Sequence, residues 1–251
     1  MNAFFHDLFF ISRIEADTAF FDAEEAHHLF AVARKRIQEP IIASDGLGGL
    51  YECRVEEISK KGTKARILNK TSHLKPDPWI QLFIGLPDRD AFEMLLENTV
   101  PLGVARIQPV LCQHTQKKSW DSNWKKFQSR FRKKSIASMK QSHQVWLPEL
   151  SVPVLFSESL SSILGFCLVA DVQGTSVHDV LKGKSISDVY TCYIGPPGGF
   201  SPEELQALTA RKACFVSLAP YRLKTELASV ALCAHLAAMG TVHEKDKNPG
   251  P

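Results

Sequence analysis

The spacing of hydrophobic positions changes partway along the chain, and the change divides it in two. Residues 41–43, 50–55 and 64–68 form short apolar or alternating runs, broken by Asp45-Gly46, Gly48-Gly49 and Gly62. Such runs between turn formers predict a small β-rich domain, with a barrel as one way to close it. One helix is predicted around residues 24–34. At His73-Leu74-Lys75-Pro76-Asp77-Pro78 two prolines punctuate a polar stretch, and beyond them the element lengths grow. Apolar runs at residues 80–84, 106–110, 166–170, 189–194 and 214–218 alternate there with helical patterns, which predicts an α/β domain with a mainly parallel sheet. Between the second and third runs a helical stretch covers residues 120–143. Its Trp124, Phe127 and Phe131 recur at helical spacing and should pack onto the core. The last helix is expected over residues 225–239, stopping at Gly240, with a polar tail at 244–251 expected to be disordered. The expected domains are therefore residues 1–74, residues 75–243 and that tail.

Composition narrows the class without naming a function. The chain has 251 residues, 44% hydrophobic and 23% charged, which is ordinary for one large or two modest globular domains. Its start, MNAFFHDLFFISRIEADTAFF, lacks a basic region followed by an apolar segment and a small-residue cleavage site, so secretion is not expected. No apolar run approaches the roughly 20 residues of a membrane helix, and a cytoplasmic protein is expected. The six cysteines show no C-x-x-C spacing, and four lie inside apolar runs, which predicts buried, reduced thiols. A net charge of +3 is too mild to establish a nucleic-acid partner, so the distribution of charge must decide. His27 and His28 lack a partner at ligand spacing and read as helix packing or capping, with no metal expected. There is no G-x-S-x-G and no cysteine in a basic setting, which leaves hydrolase chemistry unsupported.

The richest segment runs from Ile194 through Gly195-Pro196-Pro197-Gly198-Gly199-Phe200 to Ser201-Pro202-Glu203-Glu204. It joins an apolar strand to a helix start with Ser201 as N-cap, Pro202 at the first helical position and Glu204 closing a capping box. Three glycines allow close approach to the main chain where α/β sheets bind ligands, beyond the carboxyl ends of their strands. The spacing matches neither a dinucleotide fingerprint nor a Walker loop, and favours a ligand held by main-chain hydrogen bonds rather than by its phosphates. A second segment, Leu218-Ala219-Pro220-Tyr221-Arg222-Leu223-Lys224-Thr225-Glu226-Leu227-Ala228, follows another apolar strand and opens an alanine-rich helix. Taken alone it reads as a helix start, with Thr225 as cap and Glu226 favoured by the helix dipole.

Together the two segments resemble the SPOUT class of S-adenosylmethionine-dependent RNA methyltransferases, and within it the RsmE family. That family carries a Gly-Pro-Glu-Gly-Gly-Phe loop and a Leu-Gly-x-Arg-Ile-Leu-Arg-Thr-Glu-Thr-Ala segment. The likeness covers nearly the whole chain: His27-His28 with Val32 and Arg34 is similar to an N-terminal signature, Leu102-Gly103-Val104 and Gln108-Pro109 to a middle segment, and Gln141-Ser142 with Leu147-Pro148 to the stretch after the long helix. The chain departs from the pattern where Pro197 replaces the loop glutamate and Tyr221 and Lys224 replace the two arginines. Pro101 stands in a middle Glu-Leu-Gly, His114 approximates an arginine after the second strand, and His143 or Gln144 one after Gln-Ser.

The resemblance implies a deep trefoil knot, a PUA-like N-terminal domain, a homodimer, and methylation of a uridine N3 in 16S ribosomal RNA of the small subunit. S-adenosylmethionine would lie against Gly195, Pro196, Gly198, Gly199, Phe200, Leu218, Leu223 and Thr225, with Ala170 and Asp171 in a third loop. Arg222 or Lys224 would stabilise charge on the base, and Glu226 would accept a proton or orient a partner. RNA would meet two basic surfaces, Arg34, Lys35 and Arg36 with Lys60, Lys61 and Lys64, and Lys125, Lys126, Arg130, Arg132, Lys133, Lys134 and Lys140 on the long helix. Two alternatives stay open: a ribose 2′-hydroxyl methyltransferase of the same class, and an RNA-binding protein that has kept the fold and lost catalysis with the replaced groups.

Overall fold

The computed structural model describes residues 7–59, 61–115, 120, 124–185 and 188–247, with side chains as far as Gly240. The chain forms two compact units, Met1–Lys75 with Ile136–Leu147, and Pro76–Ser135 with Pro148–Pro251. Residues 136–147 thus return to the first unit. The expected disordered tail falls partly on residues 248–251, which lie outside the described residues, as does Lys60.

The first unit is a six-stranded sheet of β1 (Leu8–Phe10), β2 (Arg13–Glu15), β3 (Thr18–Phe21), β4 (Pro40–Ser44), β5 (Gly49–Ser59) and β6 (Gly62–Ser72), ordered β1-β4-β5-β6-β3-β2. Alternation governs the long strands: Tyr51, Cys53 and Val55 of β5 are buried while Glu52, Arg54 and Glu56 face outward. The aromatic N-terminal segment supplies three of the strands and puts Phe9 and Phe21 into the core. The helix expected over 24–34 is shorter. Helix α1 (Ala23–His27), capped by the Asp22 carboxylate accepting from the Glu25 N–H at 2.9 Å, passes into a π-turn at His28–Val32. Arg34 then turns into the left-handed region at φ 55° and ends it. The buried Glu25 carboxylate accepts from the Phe10 N–H at 3.0 Å and from Lys140 Nζ at 2.7 Å. Donors of this kind, one of them a cation, make burial of a carboxylate tolerable.

The second unit is built on β7 (Trp79–Gly85), β8 (Val104–Leu111), β9 (Glu149–Leu150), β10 (Val154–Leu155), β11 (Phe166–Ser176), β12 (Val189–Ile194) and β13 (Cys214–Ser217). The order is β10-β8-β7-β12-β11-β13, with β9 also on β8, and every ladder is parallel. Strands β7 and β12, side by side in the middle, are buried almost throughout, as strands covered on both faces must be. The connecting helices are α2 (Arg89–Thr99), α3 (Trp124–Gln141), α4 (Phe156–Ser159), α5 (Val177–Leu181), α6 (Pro202–Ala210) and α7 (Thr225–Lys247). Trp124, Phe127 and Phe131 of α3 do pack inward, with Phe131 4.9 Å from the Phe92 ring. All six cysteines are free, and burial pushes Cys53, Cys167 and Cys233 up to about 12, so their thiols stay protonated. Among the described residues no helix is long and apolar enough to cross a membrane.

One helix end differs from expectation. Helix α7 does not stop at Gly240 but continues to Lys247. A glycine there reads as a terminator only while its surroundings are unknown. A Cβ on Gly240 would lie 2.7 Å from the Asp77 carbonyl oxygen, so the residue is small because main chain passes close to the helix. Gly240→Ala, which in an exposed helix stabilises, should here destabilise by about 1–3 kcal/mol through overpacking. Urea denaturation of the two proteins measures it, and a more stable variant would contradict the close approach.

Candidate active site

Parallel ladders send the carboxyl ends of β7, β11, β12 and β13 to one edge of the sheet, and a cavity of about 660 Å³ opens there. Its walls hold every residue that the sequence reading placed at the cofactor or in catalysis: Ala170 and Asp171; Gly195, Pro196, Gly198, Gly199 and Phe200; and Leu218, Arg222, Leu223, Lys224, Thr225 and Glu226. Residues far apart in the chain meet because their strands share a sheet. Ala170 and Asp171 come not from a separate loop but from a bulge in β11, where the register against β13 slips between Ala170 and Thr175. A fourth wall was missed. Pro87, Asp88 and Ala91 follow β7, and Asp88 caps α2 by accepting from the Ala91 N–H at 2.9 Å. The run Leu86-Pro87-Asp88 after an apolar strand carried that signal in the sequence.

Two side chains of the second loop bond the two main loops together by donating to backbone carbonyls of the first. Thr225 Oγ1 donates to the Gly195 carbonyl at 2.9 Å, so the hydroxyl expected to cap α7 instead ties the helix start to the glycine loop. The Arg222 guanidinium donates to the Pro197 carbonyl at 3.0 Å. Within the glycine loop the Gly199 N–H closes a turn on Pro196 O at 2.7 Å, with Gly199 at φ 77°, a conformation that favours glycine. Gly85 at the end of β7 is also required: a Cβ there would lie 2.4 Å from the Pro196 nitrogen.

A second set of bonds holds the glycine loop from the side of β8. Ser201 caps α6 as its sequence predicts, accepting from the Glu204 N–H at 3.2 Å. The buried Glu204 carboxylate does more than complete the capping box. One oxygen accepts from the Ser201 N–H at 2.9 Å and the other from the Gln113 N–H at 2.8 Å, which joins the segment after β8 to the start of α6. From that segment His114 Nδ1 lies 3.0 Å from the Gly199 carbonyl, and its Cβ would stand 2.8 Å from a side chain added at Gly198. Glu203 next to it is held below the usual carboxylate range by hydrogen bonds from its own backbone N–H and the Ser201 hydroxyl.

Charge around the cavity is mixed, with Arg222 and Lys224 against Asp88, Asp171 and Glu226. Among the described residues neither Lys224 nor Glu226 forms an ion pair. The basic residues of α3 are different. Arg130 Nε lies 2.6 Å from the buried Glu93 carboxylate, and Lys134 pairs with Glu97, so these cations are already matched within their own unit. Lys125, Lys126 and Lys133 lie on the same helix and are exposed. Arg34, Lys35 and Arg36 stand in the first unit, outside this cavity.

The cleft lies at the carboxyl edge of an all-parallel α/β unit, the edge where such sheets bind ligands, and a small β-rich unit accompanies it. The sequence family described as an RNA methyltransferase domain matches residues 75–237, and an RNA methyltransferase PUA domain matches residues 21–68. The chain belongs to this RNA methyltransferase family, and the RsmE resemblance read from its two loops holds. The ribosomal RNA small subunit methyltransferase E of Mycobacterium bovis is 27% identical, covering 88% of this chain and 85% of the relative. That of Bacillus subtilis is 26% identical over 85% and 87%. The crystal structure of the Neisseria gonorrhoeae protein of that name, bound to S-adenosyl methionine, superposes with a TM-score of 0.79 at 23% identity, covering 94% of this chain and 98% of that one.

Glu204→Gln should destabilise the protein by about 1–3 kcal/mol, because an amide NH₂ would then face one of two backbone donors that need an acceptor. Urea unfolding tests it, and unchanged stability would mean the carboxylate is only a helix cap.

Proposed function

We propose that this chain transfers a methyl group from S-adenosylmethionine to N3 of a uridine in small-subunit ribosomal RNA, as a cytoplasmic homodimer whose catalytic unit carries a deep trefoil knot. The observation that carries the reading is that the glycine loop and the segment 218–225, hydrogen-bonded to each other, line one cleft. Its volume of about 660 Å³ falls in the range of small-molecule sites, roughly 300–1,000 Å³. The names of the relatives, and the S-adenosyl methionine bound in the Neisseria structure, support the same donor and substrate class.

The residues present fit the donor. Gly195, Gly198 and Gly199 leave the loop without side chains where an adenosine would meet amides and carbonyls, and Ile194, Val216 and Leu218 give apolar surface for its base. Bound, it supplies an electrophilic methyl group on a sulfonium. The protein's task is then to orient the nucleophile in line and favour its deprotonated form. Lys224 and Arg222 face the cleft, and either cation stabilises the charge that develops on O2 or O4 as N3 loses its proton. Glu226, in the first turn of α7, would take that proton or orient the group that does. Because N3 is a pairing atom, the uridine must be unpaired or extruded. Val172 and Tyr221 in the cavity wall, with Leu227 beyond, are exposed apolar residues that a second copy would cover.

Incubation with labelled S-adenosylmethionine and unmodified small ribosomal subunits should place label in 3-methyluridine. Label on ribose would select the 2′-hydroxyl reading instead, and binding of the donor with no transfer would select the inactive binder. Gly198→Val, which crowds the loop against His114, should lower affinity for S-adenosylmethionine about tenfold or more, equivalent to about 1.4 kcal/mol. Calorimetric titration giving an unchanged affinity would remove the glycine loop from the donor site.

A further inference from the structure

A second cavity, of about 860 Å³, lies in the first unit and plays no part in the chemistry above. Ala26, Phe30, Ile37 and Ile58 give it apolar walls, and His27 and Arg36 stand among them. Phe30 and Ile37 are 61% and 55% exposed, and the neighbouring Val32 is 63% exposed. Three large apolar side chains exposed within eight residues, 30–37, make a surface of the kind that marks an interaction site. The backbone under them is unusual as well. The π-turn buries Leu29 and turns Phe30 outward, and Arg34 and Gln38 hold left-handed conformations at φ 55° and 72° without being glycine.

Charge indicates the partner. Among the described residues Arg34, Lys35 and Arg36 form no ion pair, whereas Lys64, Arg130, Lys134 and Lys140 are each matched to a carboxylate. A run of unmatched cations thus adjoins an exposed aromatic ring in an apolar groove. A protein surface would have to bring several acids along with its apolar contact. A nucleic-acid strand carries both features in each nucleotide, a flat base and an anionic phosphate.

We propose that this groove takes an unpaired nucleobase of single-stranded RNA, stacked on the Phe30 ring, while Arg34, Lys35 and Arg36 hold the adjoining phosphates. The inference rests on the reading of the chain as an RNA methyltransferase and adds a base-stacking subsite in the β-rich unit. Stacking on one ring tolerates any base, so the subsite recognises unpaired character rather than sequence.

The full-length protein is titrated against a labelled single-stranded RNA of about 12 nucleotides, and against the same length of duplex, by fluorescence anisotropy. Phe30→Ala should weaken single-strand binding about tenfold and leave duplex binding unchanged, and Phe30→Trp should restore it. The salt dependence of Phe30→Ala should match the parent, while Arg36→Gln should lower the slope by about one phosphate contact. An affinity of Phe30→Ala equal to the parent's overturns the proposal. So does a loss of self-association by Phe30→Ala in sedimentation velocity, which would make the groove an interface between copies. An unchanged melting temperature and S-adenosylmethionine titration show that the variant is folded. If the parent fails to methylate ribosomal subunits while Phe30→Ala still loses the single strand, the methyltransferase reading falls and the subsite stands.

Discussion

The parallel direction of every ladder in the seven-stranded sheet is the constraint from which the cleft follows. Strands that run the same way end at the same edge, so the segments after β7, β12 and β13 and the bulge in β11 have no choice but to meet. Meeting is not yet a binding site. The Thr225–Gly195 and Arg222–Pro197 hydrogen bonds join the loops by using two carbonyls of the glycine loop, so the two walls are held at a fixed spacing. Gly85 allows the glycine loop to cross the end of β7 at a distance no side chain would permit.

Buried carboxylates organise the rest of the polar structure, and they also decide which cations remain for a substrate. Glu25, Glu93 and Glu204 are each largely removed from water, and each is matched by several donors or a close cation. An unmatched buried charge would cost several kcal/mol, so these partnerships are set by folding and are not free to serve a ligand. This turns a chain of modest net charge into one with localised positive groups. Arg130 and Lys134, counted with the basic face of α3 in the sequence, are structural partners as well as surface charges. Lys224 at the cleft and Arg34, Lys35 and Arg36 beside the aromatic groove have no such carboxylate among the described residues.

Much of this was legible in the residues. The apolar run at 189–194 is β12 to the residue, the Ser201–Glu204 cap forms as its pattern requires, and Trp124, Phe127 and Phe131 face the core. Each depends on groups within about one helical turn or on a simple period, which local physics decides. The glycine and 218–224 loops stood out for the same reason, because helix starts after apolar strands are local signals.

Other features depended on contacts between distant parts of the chain. Gly240 stands inside α7 because Asp77, far away in sequence, passes beside it. Thr225 bonds Gly195 rather than capping its own helix, Glu204 reaches Gln113, and Asp88 turns out to be a wall of the same cavity. The short strands β1 and β3 take their places by pairing with the distant β4 and β6. The amino-acid order specified the elements, their caps and the two glycine-dependent or polar loops, since those are settled by neighbouring residues. Which loops share a cleft, which carboxylate takes which cation and which glycine must stay small were settled by packing between segments tens of residues apart, where no periodicity in the chain records the distance.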